Sequence, residues 1–191
     1  LRIITSILPV NFGRDPVDVA IRVGQLPQAQ PMRDAPRIDL EMVDDWSSVH
    51  ADLLMPDVLV PVCNPSLLEG TPPIRNPEDL LSLGLIHVAT RNHAWPDWYH
   101  VFGITDERIQ KGPAFGHFFM ALQAVHEGKG VGLIPRPLVE EDIASGRLVL
   151  PLNQATESAG AYYLLCRREQ KNMPAIQKFR KWILSERDLA H

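Results

Sequence analysis

The apolar segments of this chain are short, and their residue spacing alternates between that of strands and that of helices. Runs of β-branched and apolar residues predict strands at 1–10, 17–23, 58–63, 85–89, 131–134, 148–150 and 162–166. Helical spacing predicts helices at 77–83, 117–127 and 137–144, a helix or turn at 95–102, and a last helix from Pro174 onward. Strands alternating with helices imply an α/β architecture with mostly parallel sheets. In such folds, ligands bind at the carboxyl ends of strands, close to helix N-termini.

Proline and glycine separate these segments. The chain holds 17 prolines and 12 glycines, and Asn76 followed by Pro77 is typical of a helix start. Gly128 and Gly130 end the helix predicted at 117–127. Residues 25–45 are polar and rich in proline, which predicts a long connection with at most one strand, at 38–43.

The composition is that of an ordinary globular domain. Of the 191 residues, 45% are hydrophobic and 22% are charged, which excludes a disordered, collagen-like or coiled-coil chain. The formal net charge is −4, so the chain by itself is poorly suited to binding a phosphate backbone. Two cysteines without a CxxC motif indicate reduced thiols in the cytoplasm, and a single disulfide between them is the alternative interpretation. No apolar run reaches the roughly 18 residues of a membrane span, so no membrane contact is expected.

The sequence lacks the common catalytic and metal-binding motifs. There is no GxGxxG, P-loop, GxSxG or HExxH motif and no evident nucleophile–base pair, so we expect neither an enzyme nor a cofactor. His87, His93 and His100 lie near Asp97, but this spacing does not match a defined metal site, and we expect no metal. The aromatic cluster at 95–102 fits core packing better than ligand stacking.

Phe115, Gly116 and His117 precede the predicted helix at 117–127 and are candidates for ligand binding. Free backbone N–H groups at a helix N-terminus suit a carboxylate, and Gly116 permits close approach of a ligand to the backbone. A plain helix start explains these residues equally well. Thr5 and Ser6 offer hydroxyl groups to a ligand, and a turn at the end of a strand is the alternative interpretation.

Several segments together resemble the effector-binding domain of LysR-type transcriptional regulators, most of all the glycine-cleavage-activator subgroup. The order and spacing of these segments agree with that family over nearly the whole chain, although each motif alone is weak. The segments are VDVAIRVG at 17–24, DVLVPVCNP at 57–65, LIH at 85–87 with WPDW at 95–98, GKGVGLIP at 128–135, and GRLVLP at 146–151 followed by YYLL at 162–165.

The resemblance implies a fold of two Rossmann-like lobes joined by two crossover strands, like that of type 2 periplasmic binding proteins. Lobe I would comprise residues 1–58 and 166–191, without the strand and helix that usually open it, and lobe II would comprise residues 59–165. The effector would bind between the lobes. By this resemblance, one wall of its site consists of Thr5, Ser6 and Gly24, and the other of Phe115, Gly116, His117 and Ile134.

The resemblance also implies a function. The chain is expected to be the sensing domain of a cytoplasmic DNA-binding regulator, in which a small anionic or amino-acid-like effector acts on a homodimer or tetramer. Contact with DNA would belong to an N-terminal winged helix-turn-helix, which is absent from this sequence. The alternative is a periplasmic solute-binding receptor of a transporter, which predicts an export signal upstream.

Overall fold

The computed structural model describes residues 2–29 and 35–189, with the side chains of 187–189 excepted. Contacts divide the chain into two compact units. The first comprises Leu1–Ala29, Asp39–Pro56 and Gly160–His191, and the second comprises Gln30–Ile38 and Asp57–Ala159.

The described residues form a mixed α/β structure. Its strands are β1 (Val19–Gly24), β2 (Val49–Val62), β3 (Leu85–Val88), β4 (Ala114–Phe115), β5 (Val131–Pro135) and β6 (Thr156–Arg167). Its α-helices are α1 (Ala94–Val101), α2 (Phe118–His126), α3 (Glu140–Ala144) and α4 (Pro174–Leu189). Short 3-10 helices lie at Pro65–Leu68, Pro77–Ser82, Ala89–Arg91, Glu107–Gln110, Arg136–Leu138 and Arg168–Gln170.

The first unit is built on an antiparallel pair of strands. β1 pairs with the end of β6, so that Val19 lies opposite Cys166 and Gly24 lies opposite Ala161. A small hydrophobic core packs together here, formed by Val10, Phe12, Met42, Val43, Val49 and Leu165. Strands β2 and β6 each begin in one unit and end in the other.

The second unit contains a sheet that is covered on both faces. β5 pairs with β3 in parallel and with the end of β2 in antiparallel orientation, and β4 pairs with β3 in parallel. Alternate residues of β5 belong to different clusters: Leu133 packs with the aromatic residues of α1, whereas Ile134 packs with α2. Because successive side chains of a strand point to opposite faces, each cluster occupies one face of the sheet. This double coverage explains why all five residues of β5 are buried.

Most of the elements predicted from the sequence are present, with several corrections. The predicted strand at 1–10 is wrong, since Val10 makes only one bridge, to Val43, while Ile3 and Leu8 are 79% and 68% exposed. The apolar pattern is there, but among the described residues no strand pairs with 2–9, and a strand is stable only when paired. The predicted strand at 38–43 is likewise reduced to the bridge at Val43.

Other differences concern lengths and helix types. β2 is 14 residues long and starts well before the predicted position 58. The predicted helix at 77–83 is a 3-10 helix, and the one at 137–144 splits into a 3-10 turn followed by the short α3. The predicted strand at 148–150 is a single bridge between Val149 and Cys63. The lobe boundaries stay a prediction, and the compact units differ from them at 30–38, 57–58 and 160–165.

Candidate functional site

The start of α2 brings three of the predicted binding residues together. Phe115 ends β4, and His117 is the N-cap of α2, with an extended backbone and no capping hydrogen bond from its side chain. The amides of Met120 and Ala121 donate to the His117 carbonyl, each at 3.1 Å. The amides of the first helical turn before them lack partners within the helix, as at any helix start. A Cβ atom at Gly116 would meet no atom within 4 Å, so its immediate surroundings are open.

The remaining predicted binding residues have different surroundings. Ser6 is exposed, and its hydroxyl oxygen accepts a hydrogen bond from the amide of Leu8 at 3.1 Å. Thr5 is exposed in the same segment. Gly24 is buried at the end of β1, where a Cβ would lie 2.8 Å from the Met42 side chain. Ile134 is fully buried in the core beneath α2, so its side chain contributes packing. Their contact with an effector stays a prediction.

A buried cluster of three polar residues in the second unit was not predicted from the sequence. Asp57 of β2 is completely buried, and one of its carboxylate oxygens, Oδ2, accepts hydrogen bonds from Arg91 Nη2 and from Ser158 Oγ, the latter at 2.6 Å. Arg91 ends the 3-10 helix after β3, and its side chain is 1% exposed. Ser158 of β6 is 2% exposed. β2, β6 and the 3-10 helix after β3 therefore each contribute one residue to this buried cluster.

This ion pair leaves several of its polar atoms without partners. Arg91 Nε and Nη1 and Asp57 Oδ1 are buried, and none of them has a hydrogen-bond partner among the described residues. The Arg91 guanidinium also lies over the Phe118 ring, with Cζ 6.0 Å from the ring centroid. Burying polar groups without partners is costly, and natural proteins rarely do so without a reason. The cluster can therefore offer both donors and an acceptor to a small polar molecule.

Sequence reasoning missed this cluster because its members are far apart along the chain. Asp57 and Ser158 are 101 residues apart, and Arg91 lies in a polar loop that carries no motif. One signal was available. Asp57 immediately precedes the apolar run 58–63. A charged residue next to a buried strand needs a polar partner, because burying an unpaired charge is costly.

The two cysteines and the aromatic residues of α1 are committed to packing. Burial raises the pKa of Cys63 to about 11 and also raises that of Cys166, so neither thiol is activated as a nucleophile. Trp95, Trp98 and Tyr99 are at most 2% exposed and form part of the core. Within residues 2–29 and 35–189, no group of three His, Cys, Asp or Glu side chains is arranged to hold a metal ion. The helices in these ranges include none that is long and apolar enough to cross a membrane.

A cavity of about 220 Å³ lies elsewhere in the second unit and is rich in basic residues. Its lining includes Arg108, Lys111 and Lys129. Arg108 pairs with Asp106 at 2.7 Å, and Lys111 pairs with Glu107 at 2.9 Å. Two of its three cations are therefore already paired and, in contrast to Arg91, none of the three has a buried side-chain nitrogen that lacks a hydrogen-bond partner among the described residues.

Comparison with known proteins identifies the family. The family model for the LysR substrate binding domain matches residues 14–188. The chain belongs to this family. The LysR domain is 37% identical over 142 residues to the glycine cleavage system transcriptional activator of Escherichia coli (strain K12). This alignment covers 74% of the chain and 46% of that protein. It is 30% identical over 191 residues to the HTH-type transcriptional regulator PerR of the same strain, covering 99% of the chain and 57% of PerR.

Solved structures agree on the fold of the LysR domain. The effector domain of the regulator AmpR from Pseudomonas aeruginosa superposes with a TM-score of 0.74 at 23% identity, covering 99% of this chain and 81% of that one. The expected α/β fold of the periplasmic-binding-protein type is thereby confirmed. The chain spans about half the length of the curated relatives it matches.

Proposed function

We propose that the chain is the ligand-sensing domain of a LysR-type transcriptional regulator and binds a small effector. The observation that carries this proposal is the family match over residues 14–188, together with relatives that are transcriptional regulators. Contact with DNA belongs to a winged helix-turn-helix in the full-length protein, since the sensing domain is itself acidic. The regulator works in the cytoplasm as a homodimer or tetramer.

The effector acts by stabilising one arrangement of the regulator over another. A ligand shifts such an equilibrium only as far as its affinities for the two states differ. Moving a population from 1:99 to 99:1 requires about 10⁴-fold tighter binding to the favoured state. The start of α2, with Phe115, Gly116 and His117, supplies backbone N–H groups for an anionic part of the effector. The predicted residues Thr5, Ser6, Gly24 and Ile134 belong to the same proposal.

The relatives favour a regulator over a solute receptor. The same type of fold serves transport receptors, and fold alone does not choose between these functions. The curated relatives named above are a transcriptional activator and a transcriptional regulator. The domain is also proposed to be without catalytic activity, and turnover of any compound in a small-metabolite panel would contradict that.

Thermal unfolding of the 191-residue chain in the presence of small carboxylates and amino acids tests the proposal. A ligand at 100 times its Kd stabilises the folded state by about 2.7 kcal/mol. For a chain of this length, that corresponds to a rise in Tm of roughly 5–11 °C. The absence of a concentration-dependent shift across a broad panel would refute effector binding by this chain.

A substitution at Gly116 tests the contribution of the α2 start. Gly116→Val places its side chain in open space, so the Tm without ligand should stay close to that of the wild type. Its bulk would keep a ligand away from the first amides of α2, and the ligand-induced shift should shrink. An unchanged shift would exclude the α2 start from the effector site.

A further inference from the structure

We propose that Arg91 and Asp57 form a binding subsite for the carboxylate and ammonium groups of an α-amino acid. This inference rests on the proposed function, because it specifies the chemical class of the effector. Asp57, Arg91 and Ser158 all belong to the second unit, so the subsite is formed within that unit alone.

Arg91 supplies the donors for a carboxylate. One guanidinium nitrogen, Nη2, donates to Asp57, whereas Nε and Nη1 have no partner among the described residues. Nε carries one hydrogen and Nη1 carries two, so three N–H donors are left to be satisfied. Each of these nitrogens can donate to a carboxylate oxygen, and such charge-assisted hydrogen bonds are among the strongest in proteins.

Asp57 supplies the acceptor for an ammonium group. Its Oδ2 already receives Arg91 and Ser158, which hold the carboxylate in one orientation. Its Oδ1 is buried and has no partner in the described part of the chain. A carboxylate oxygen accepts hydrogen bonds but donates none, so only a donor such as an ammonium group satisfies Oδ1.

Charge balance selects a zwitterion over simpler ions. Arg91 and Asp57 together carry no net charge, and both side chains are at most 1% exposed. A ligand with only a carboxylate, or only an ammonium group, would place one uncompensated charge in this buried site, which is strongly unfavourable. An α-amino acid with an uncharged side chain is neutral overall at pH 7 and carries both groups within a few bond lengths. It therefore satisfies the donors of Arg91 and the acceptor of Asp57 without adding net charge.

The position of Arg91 connects this cluster to the start of α2. The guanidinium lies over the ring of Phe118, which is the first residue of α2 and directly follows His117. The N-terminus of a helix carries partial positive charge, which also favours a carboxylate. The two unpartnered nitrogens of the guanidinium and the predicted α2 site thus point to the same chemical group of the ligand.

The decisive experiment compares each amino acid with its two single-group analogues on the wild-type chain. Alanine is matched with propionate, which lacks the ammonium group, and with ethylamine, which lacks the carboxylate. Glycine is matched with acetate and methylamine, and larger amino acids are treated in the same way. We expect at least one amino acid to bind, measured by titration calorimetry, and both of its analogues to bind at least about 100-fold more weakly, because each leaves a buried charged partner unsatisfied.

Variants assign the selectivity to the cluster. Removing one partner alone would leave a buried charge unpaired and threaten folding. We therefore combine Asp57→Asn with Arg91→Gln, which removes both charges together and keeps a polar side chain at each position. The matched control combines Arg136→Gln with Glu140→Gln, an ion pair of the same unit whose side chains are 43% and 58% exposed. The first double variant should lose at least about 100-fold in amino-acid affinity, and the control should bind like the wild type.

The outcomes separate the two proposals. If no compound of any class binds the wild-type chain, the proposed function fails. If compounds bind but propionate matches alanine, and every amino acid behaves likewise, the proposed function stands and the amino-acid subsite is refuted. Wild-type affinity in a folded Asp57→Asn/Arg91→Gln variant also refutes the subsite. If that variant does not fold, the analogue series on the wild-type chain decides by itself.

Discussion

Two neighbouring tryptophans of α1 differ in one hydrogen bond, which allows its contribution to stability to be measured. Trp95 and Trp98 are 2% and 0% exposed, and their rings meet edge to face with centroids 5.5 Å apart. Trp95 Nε1 donates to the carbonyl of Ile86 in β3 at 2.9 Å. Trp98 Nε1 is buried and has no partner among the described residues. We predict that Trp95→Phe destabilises the chain more than Trp98→Phe does.

The size of the difference follows from the hydrogen bond. Both substitutions remove the same atoms from the same cluster, so the losses of packing largely cancel in the comparison. Trp95→Phe also breaks a buried hydrogen bond, whereas Trp98→Phe removes a donor that had no partner. A buried hydrogen bond contributes about 0.5–1.5 kcal/mol net, so the two variants should differ by at least roughly that amount.

Equilibrium unfolding in urea measures this difference. The two variants should have the same dependence on urea concentration and different midpoints, with Trp95→Phe unfolding first. Trp182→Phe serves as the control, because Trp182 is 52% exposed and its replacement should change stability by no more than about 0.5 kcal/mol. Equal midpoints for Trp95→Phe and Trp98→Phe, or the reverse order, would refute the reasoning.

Two further predictions concern a glycine and an ion pair. Gly112 has φ +136° and a Cβ there would lie 2.0 Å from the Leu85 carbonyl oxygen, so Gly112→Ala should cost roughly 2–6 kcal/mol in urea unfolding. Gly70→Ala, at φ +72° with nothing within 4 Å, should cost only about 1–2 kcal/mol, and equal costs would contradict the steric argument. Burial acts to raise the pKa of Asp52, but hydrogen bonds and charge from Arg180, with His50, outweigh it and lower that pKa. The stability that Asp52 contributes is therefore complete above its unfolded pKa of about 3.9 and is lost as pH falls through its lower folded pKa. The difference in unfolding midpoint between wild type and Asp52→Asn should shrink below about pH 4, and a difference that grows there would contradict this sign.

Local patterns in the sequence were sufficient for many elements of the fold. The apolar run of β5, the stripe of α4 and the glycines after α2 each depend on neighbours within a few residues, and each prediction was close to the observed bounds. The start at Asn76 was also recognised, and there Asp79 accepts a hydrogen bond from the Asn76 amide at 2.9 Å. The ordered motifs identified the family, because their spacing records the order of elements along the chain.

Long-range pairing decided what the sequence by itself did not. The pattern at 1–10 is that of a buried strand. Among the described residues of this segment, however, only Val10 forms a β-bridge, which pairs it with Val43. The cluster of Asp57, Arg91 and Ser158 arises because β2, β6 and the loop after β3 meet in the folded chain. Periodicity and capping motifs are local properties and determine element type. Which polar groups share a buried site depends on contacts between distant residues, and only the tertiary structure determines those contacts.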